Sequence, residues 1–262
     1  MNRSLFTAAS GMSAQQLNVD VIANNLANVN TIGFKKSRAD FQDLLYETLR
    51  APGTLNSTGS QVPTGIQVGL GVKPAGVTKM FLQGDMRNTQ NEFDVAIDGK
   101  GFYQIQMPDA SIGYTRAGNF QVDSDGQIVN LDGYPMLPSI AIPQDATLVS
   151  IDTEGRVNVM QPGSTAFSEV GQIELANFVN PAGLLSDGKS IYKESEASGP
   201  PITGLPATNE FGSILQGFVE VSNVSVVEEL TQMIIAQRGY EVNSKAVQAS
   251  DEMLQQASAL KR

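Results

Sequence analysis

The sequence predicts an α+β protein: two long terminal helices form a coiled-coil-like layer, and a mostly antiparallel β-domain is inserted between them. Two observations carry this prediction. Apolar residues recur in heptads at both ends of the 262-residue chain, and apolar–polar alternation punctuated by Asp-Gly and Asn turns fills the middle. The expected divisions are 1–33 for the N-terminal helix, 34–71 for an extended linker, 72–220 for the β-rich domain and 221–262 for the C-terminal helix.

At the N-terminus Leu5, Met12, Val19 and Leu26 recur every seven residues, with Ala8, Gln15, Ile22 and Val29 three places after each. This spacing is an a/d seam, imperfect at Ala8 and Gln15. Asn18, Asn24, Asn25, Asn28 and Asn30 lower the helix propensity, because asparagine side chains compete for backbone hydrogen bonds. The helix is therefore expected to be marginal alone and to order when other chains supply apolar surface. Near the other end Val226, Met233, Tyr240, Val247 and Leu254 recur every seven, supported by Leu230, Ile234 and Ala257. Ser225 and Glu228 open this segment as a capping box. No proline interrupts Val226 to Leu260, a run longer than the roughly 8–20 residues of an ordinary globular helix. Gly239 is its weak point.

Between the helices, Pro52, Gly53, Gly59, Pro63 and Gly65 mark residues 50–65 as extended linker. Strand patterns begin near Ile66. Phe93, Val95 and Ile97 alternate with Asp94 and Ala96, then Asp98-Gly99 turns the chain into Phe102 to Met107. Tyr114 to Val122, Gln127 to Asn130, Leu148 to Ile151, Val157 to Met160 and Gly171 to Val179 read as further strands, with turns at Asp123-Ser124-Asp125-Gly126 and Asp132-Gly133.

Composition excludes much chemistry. With no cysteine or histidine, the chain has no thiolate nucleophile, no disulfide and no imidazole base or metal ligand. The net charge is −10; the first 36 residues carry +2 and the last 42 carry −1, which leaves −11 on the middle. Such an acidic region repels nucleic acid and anionic membranes. No run of about 18 apolar residues is present, so no transmembrane helix is expected. Asn, Gln and Asp interrupt the N-terminus too often for a cleaved secretory signal, so export, if it occurs, needs another route.

Three motifs invite chemistry and are better explained as turns. Asp123-Ser124-Asp125-Gly126 lacks an oxygen ligand before its glycine, and Tyr134 stands where a calcium loop needs Glu. Gly99-Lys100-Gly101 joins two strands, so it has no helix N-terminus to hold a pyrophosphate. Ser186-Asp187-Gly188-Lys189 matches S-x-x-K, but its Asp-Gly centre favours a turn. No cofactor or metal is expected.

Several segments carry a family resemblance. The run Asn24-Asn25-Leu26-Ala27-Asn28-Val29-Asn30-Thr31-Ile32-Gly33-Phe34-Lys35 resembles the N-terminal signature of the bacterial flagellar axial proteins, the rod and hook family. Glu220-Val221-Ser222-Asn223-Val224 and Gln237-Arg238-Gly239-Tyr240-Glu241-Val242-Asn243 resemble its C-terminal signature. In the middle, Asp94 to Tyr103 and Tyr114-Thr115-Arg116-Ala117-Gly118-Asn119-Phe120 are similar to the family's β-domain motifs. The chain is too short for the outer domain of hook proteins, and residues 63–72 resemble the extra segment of the distal-rod type, with a proximal-rod paralogue second.

The resemblance implies a structural subunit of the basal-body rod, in the periplasm, exported unfolded through the flagellar type III apparatus without a cleaved signal. It implies a helical homopolymer forming a hollow drive shaft. Its other partners are proximal-rod proteins, the hook protein, the rod cap and the ring bushings of cell wall and outer membrane. Asn24, Asn25, Asn28, Thr31, Gly33 and Phe34 are the family-motif residues. The linker is where stiffness is expected to reside. Two other classes compete: a cell-wall hydrolase using carboxylates such as Asp123 and Asp125, and a surface adhesin binding through the isolated 66–220 region.

Overall fold

The computed structural model describes residues 3–53, 63–163, 166–208 and 210–259. The linker residues 54–62 and the side chain of Ala257 lie outside the described residues. The chain divides into two units, one of Met1–Ala27, Ser37–Thr78 and Ser225–Arg262, the other of Asn28–Lys36 and Lys79–Val224.

The first unit is built on two helices, α1 (Arg3–Ala27) and α2 (Val226–Ala259). Helix α2 begins directly after Ser225, whose carbonyl accepts the Glu229 N–H at 3.0 Å. The helices run antiparallel. Ser4 meets Ser250 at 3.2 Å near one end, and Asn25 reaches Glu229 at 3.1 Å near the other. Between those contacts each helix seats a polar side chain of the other against a glycine: a Cβ on Gly11 would lie 2.8 Å from Asn243 Nδ2, and one on Gly239 would lie 3.2 Å from Gln15 Cδ. Gly239, which weakens the helix as a propensity matter, thus has a packing reason to be there.

Residues flanking 54–62 are not simply extended. Ser37–Asp43 pairs with Val72–Lys79, and Tyr46–Arg50 pairs antiparallel with Ile66–Gly69. All five residues of Tyr46–Arg50 are exposed. With neither face buried, this ribbon lacks the one-sided alternation that announces a strand in a sequence.

The second unit is antiparallel β, as expected for the inserted region. Its largest sheet runs Leu185–Gly188, Ile191–Lys193, Ile112–Thr115, Phe102–Gln106, Leu175–Asn177 and Ile202–Gly204, with Met136–Leu137 also paired to Phe102–Gln106. Side chains alternate across a strand, and here both faces are covered. Tyr103, Ile105, Leu175 and Ile191 join the larger apolar cluster, while Phe102, Tyr114, Ala176 and Tyr192 join an aromatic one. In the second cluster Tyr114 and Phe178 meet edge to face at 4.8 Å, and Phe81 meets Tyr192 at 5.3 Å. A three-stranded sheet, Leu148–Ile151, Arg156–Met160 and Ser168–Gln172, sends Val149, Ile151, Val157 and Val159 into the larger cluster.

Two strand expectations change. Tyr114 to Val122 is not one strand: the chain leaves the sheet after Thr115 and pairs again only at Gln121–Val122. Arg116 turns inward there, and Gly118 receives the Val95 N–H at 2.9 Å. Gly171 to Val179 likewise splits between two sheets, at Gln172 and Leu175.

The turn readings fare differently. Asp123–Gly126 closes a hairpin, with the Gly126 N–H on Asp123 O at 2.9 Å. In Ser186–Lys189 the Asp-Gly pair lies in the strand, and the turn falls one step later, where Lys189 and Ser190 both have positive φ, 52° and 60°. Lys189 Nζ is engaged by Asp132 at 2.9 Å. Among the described residues no helix is long and apolar enough to cross a membrane.

Burial pushes the hydroxyls of Tyr103 and Tyr192 well above the ordinary range, and burial with the Glu194 charge pushes Tyr114 up to about 12. A raised folded-state value stabilises below the unfolded value of 10.0, and that stability is lost as pH climbs through the folded values. Lys35 and Lys79 are lowered by burial, so their contribution has the opposite sign and is complete near 10.5. The tyrosines therefore govern the alkaline limb. Urea unfolding measured in steps from pH 9 to 12 is expected to show stability falling above pH 10, and a flat profile would contradict the burial of these three hydroxyls.

Candidate assembly helices and the buried charge cluster

In the first unit the buried faces of α1 and α2 combine small and polar side chains with Val21 and Ile22. The buried residues are Ala8, Ala14, Val21, Ile22 and Asn25 on α1, and Glu229, Ala236 and Ser250 on α2. Of the twelve large seam residues expected from the heptads, Ile22 alone is buried. Leu5, Met12, Val19, Leu26, Met233, Val247 and Leu254 are half-buried, and Val226, Leu230 and Tyr240 are exposed. Val29, the remaining one, follows the end of α1, belongs to the second unit and is half-buried. At two of the facing positions, Gly11 and Gly239, the space between the helices is taken by the polar side chains of Asn243 and Gln15 and not by heptad apolar residues.

Asn25 is the polar anchor of this unit. It is 2% exposed; its Nδ2 donates to Ser37 O at 2.8 Å and to Glu229 Oε2 at 3.1 Å, and its Oδ1 accepts the Ser37 N–H at 2.9 Å. One amide thereby ties the end of α1, the start of α2 and the first strand. Asn24, beside it, is exposed.

The other motif residues belong to the second unit. Asn28 accepts the Thr31 N–H on its carbonyl and the Thr31 hydroxyl on Oδ1, both at 3.1 Å. Gly33 has φ +68°, its N–H donates to Glu220 O at 2.8 Å, and a Cβ there would lie 2.5 Å from Ala117 N. Position 33 therefore needs glycine for both conformation and space. Phe34 is buried, with Lys79 Nζ 5.1 Å from its ring centroid.

Next to Phe34 lies a cluster to which sequence reasoning assigned no role. Lys35, Arg116 and Glu220 are almost fully buried. Glu220 Oε1 accepts from Lys35 Nζ at 2.5 Å and from the Gly84 N–H at 2.8 Å, while Oε2 accepts from Arg116 Nε at 2.8 Å. The guanidinium also donates to the carbonyls of Gly99 (3.0 Å), Gly101 (2.7 Å) and Ile97 (3.2 Å), and Lys35 donates to Leu82 O at 2.6 Å. A planar fork of donors is suited to such a convergence of acceptors. Burial lowers the Lys35 pKa, the Glu220 charge opposes that, and Arg116 adds to the lowering. Each of the three residues sits inside a quoted motif, at Phe34-Lys35, Thr115-Arg116-Ala117 and Glu220-Val221. Three charged residues inside the quoted motifs were the available signal; their convergence was not legible.

Asn223 extends the same joint: its Oδ1 accepts the Lys36 N–H at 2.7 Å and its Nδ2 donates to Met80 O at 2.9 Å. Nearby, Tyr103 OH is buried with no hydrogen-bond partner among the described residues. A buried unpartnered hydroxyl costs about 1–3 kcal/mol, so Tyr103→Phe is expected to raise stability by about 1 kcal/mol in urea unfolding. A loss of stability would mean that the hydroxyl is paired.

These arrangements hold structure together. Among the described residues no group of three or more acidic side chains is placed to hold a metal. Asp123 spends its carboxylate locally, accepting the Ser124 N–H.

Comparison with known proteins agrees in detail. Residues 5–35 match the family described as flagella basal body rod protein, residues 96–159 the flagellar hook protein FlgE/F/G D1 domain, and residues 215–260 the flagellar basal body rod FlgEFG protein C-terminal. The chain is 49% identical to the flagellar basal-body rod protein FlgG of Borreliella burgdorferi over the full length of both chains. It is 49% identical to the FlgG of Buchnera aphidicola subsp. Schizaphis graminum, covering 98% of this chain and 99% of the relative. The FlgG of Caulobacter vibrioides is also 49% identical, with 99% of each chain covered.

Proposed function

The chain belongs to the flagellar basal-body rod protein FlgG family, and from that premise we propose that it polymerises through α1 and α2 into the rigid, hollow distal rod that transmits torque from motor to hook. It is a structural protein of the flagellar basal body and not an enzyme. Self-association and association with other rod and hook proteins follow from the family. The finer reading adds a proximal-rod neighbour below, the hook protein above, a rod cap during growth, ring bushings outside, and passage through the type III export apparatus into the periplasmic space.

The observation that carries the reading is the outward apolar surface of the helices. Phe6 on α1 is 74% exposed, and on α2 Ile234 and Val242 are 60% and 65% exposed. Glu229, Ala236 and Ser250 meanwhile face inward. A helix pair meant to stand alone would do the reverse; burying each such side chain between copies is worth about 1.5–3 kcal/mol. A coiled-coil-like layer is thus a property of the polymer in this proposal, with Val226, Leu230, Ile234 and Tyr240 facing neighbours. Helical polymers arise from such non-closing contacts.

Negative-stain microscopy tests it. The full-length protein is expected to form straight tubes, and chains lacking 1–30 or 225–262 none. The double variant Ile234→Ser, Val242→Ser is expected to melt within about 0.5 kcal/mol of the parent, as exposed positions do, yet to fail in tube formation. Tubes from either truncated form would sink the proposal. We place the stiffness in the ribbon beside the linker, where Leu45 and Leu49 stand exposed. Deleting 52–65 is then expected to give bendable tubes.

A further inference from the structure

The geometry points to a carboxylate-accepting pocket in the β-unit, occupied in the polymer by an acidic side chain of a second copy. The pocket, about 310 Å³, lies on one side of the buried charge cluster, with Lys35 and Arg116 in its wall and the Gly99-Lys100-Gly101 turn along one edge. Phe81, Phe102 and Phe178 form its apolar side, and Asn177 supplies a polar group.

Charge is the reason for this reading. Within the cluster two cations face one carboxylate, Glu220, so the wall carries a net charge of about +1 in a low-dielectric setting. The donors of Arg116 are consumed by Glu220 and the three carbonyls. The excess positive charge therefore acts on the pocket as a field and not as a free donor. Lys100, exposed on the turn, is the cation able to touch an occupant. Asp98, two positions before Lys100 in the sequence, accepts from the Gln83 amide at 3.0 Å.

The occupant follows from the rest of the molecule. The chain has 27 acidic and 17 basic side chains, and the surplus lies between the helical ends, so a second copy brings excess carboxylates with the middle of its chain. A pocket of the opposite sign is where that surplus is relieved when copies pack, and complementary potentials set partner and register more than raw affinity. Val179 on the rim is 81% exposed and gives the arriving residue an apolar neighbour. This inference rests on the polymer reading above.

Two measurements on the full chain separate the two ideas. The first titrates soluble protein with N-acetylglutamate amide and follows backbone amide NMR signals; Gly101, Lys100 and Asn177 are expected to shift with millimolar saturation, and the shifts to vanish in Lys100→Glu. The second measures the concentration at which tubes appear, expected to rise at least tenfold in Lys100→Glu and less in Lys100→Gln, with melting unchanged in both. Saturable shifts together with wild-type assembly of Lys100→Glu would overturn the second copy as occupant. Absence of shifts would overturn the pocket itself. A parent chain that binds the carboxylate and never forms tubes would overturn the rod proposal, and the second-copy occupant with it.

Discussion

Replacing Glu220 with alanine is expected to be the most destabilising single side-chain truncation in the β-unit, costing about 3–5 kcal/mol. The change strands Lys35 and Arg116, two buried cations, beside each other, and orphans the Gly84 N–H as well. Removing either cation instead leaves Glu220 with the other cation and the Gly84 N–H. Lys35→Met should therefore cost least, since Leu82 O, its one backbone acceptor, keeps the Asn223 amide at 3.1 Å. Arg116→Met should fall between, because the carbonyls of Ile97, Gly99 and Gly101 lose their donor. The order Glu220→Ala, then Arg116→Met, then Lys35→Met is the expected result of urea unfolding followed by tyrosine fluorescence, the chain having no tryptophan. Equal losses for all three would mean that the cluster acts through packing and not through charge. An all-apolar replacement of the triad is not expected to be neutral here, because the cluster also holds the Gly84 N–H and the carbonyls of Ile97, Gly99 and Gly101.

The second large effect belongs to Gly118. A Cβ at this position would lie 1.6 Å from Val95 O, a backbone atom in a buried strand. A flexible side chain can move aside; this carbonyl cannot, because the strand Val95–Asp98 is paired along its length with Ser213–Gln216. The Gly118 carbonyl itself holds the Val95 N–H at 2.9 Å, so displacement also breaks that bond. Gly118→Ala is expected to cost more than about 3 kcal/mol, beyond the 1–3 kcal/mol typical of overpacking. Gly133→Ala, with nothing within 4 Å but φ +81°, should lose only the smaller backbone term. Thermal unfolding by circular dichroism compares the two, and a Gly118→Ala chain as stable as Gly133→Ala would contradict the close approach.

Much of the fold was legible because it rests on local rules. Both helices, the Ser225 start, Leu148 to Ile151, and the Asp123–Gly126 hairpin follow from periodicity, proline exclusion and turn chemistry. The break after Thr115 was not legible, since Arg116 leaves the sheet for partners on Glu220 and three distant carbonyls. The paired ribbon beside 54–62 was hidden for another reason: a strand exposed on both faces has no pattern to read. At the site, the sequence marked Asn25, Gly33 and Phe34 as motif residues without saying what each does.

The sequence by itself determined that two heptad-bearing ends enclose an acidic, turn-rich β-region poor in catalytic side chains, because composition and spacing are properties of the chain alone. Tertiary structure decided which helix face meets which. Asn243 and Gln15 fill the space beside Gly11 and Gly239, Ala8, Ala14, Ala236 and Ser250 lie on the inner face, and Ile234 and Val242 stand outward. It also decided that Lys35, Arg116 and Glu220, separated by up to 185 positions, share one buried site. Charges converge there because burial makes each intolerable alone, and no rule of local spacing records that.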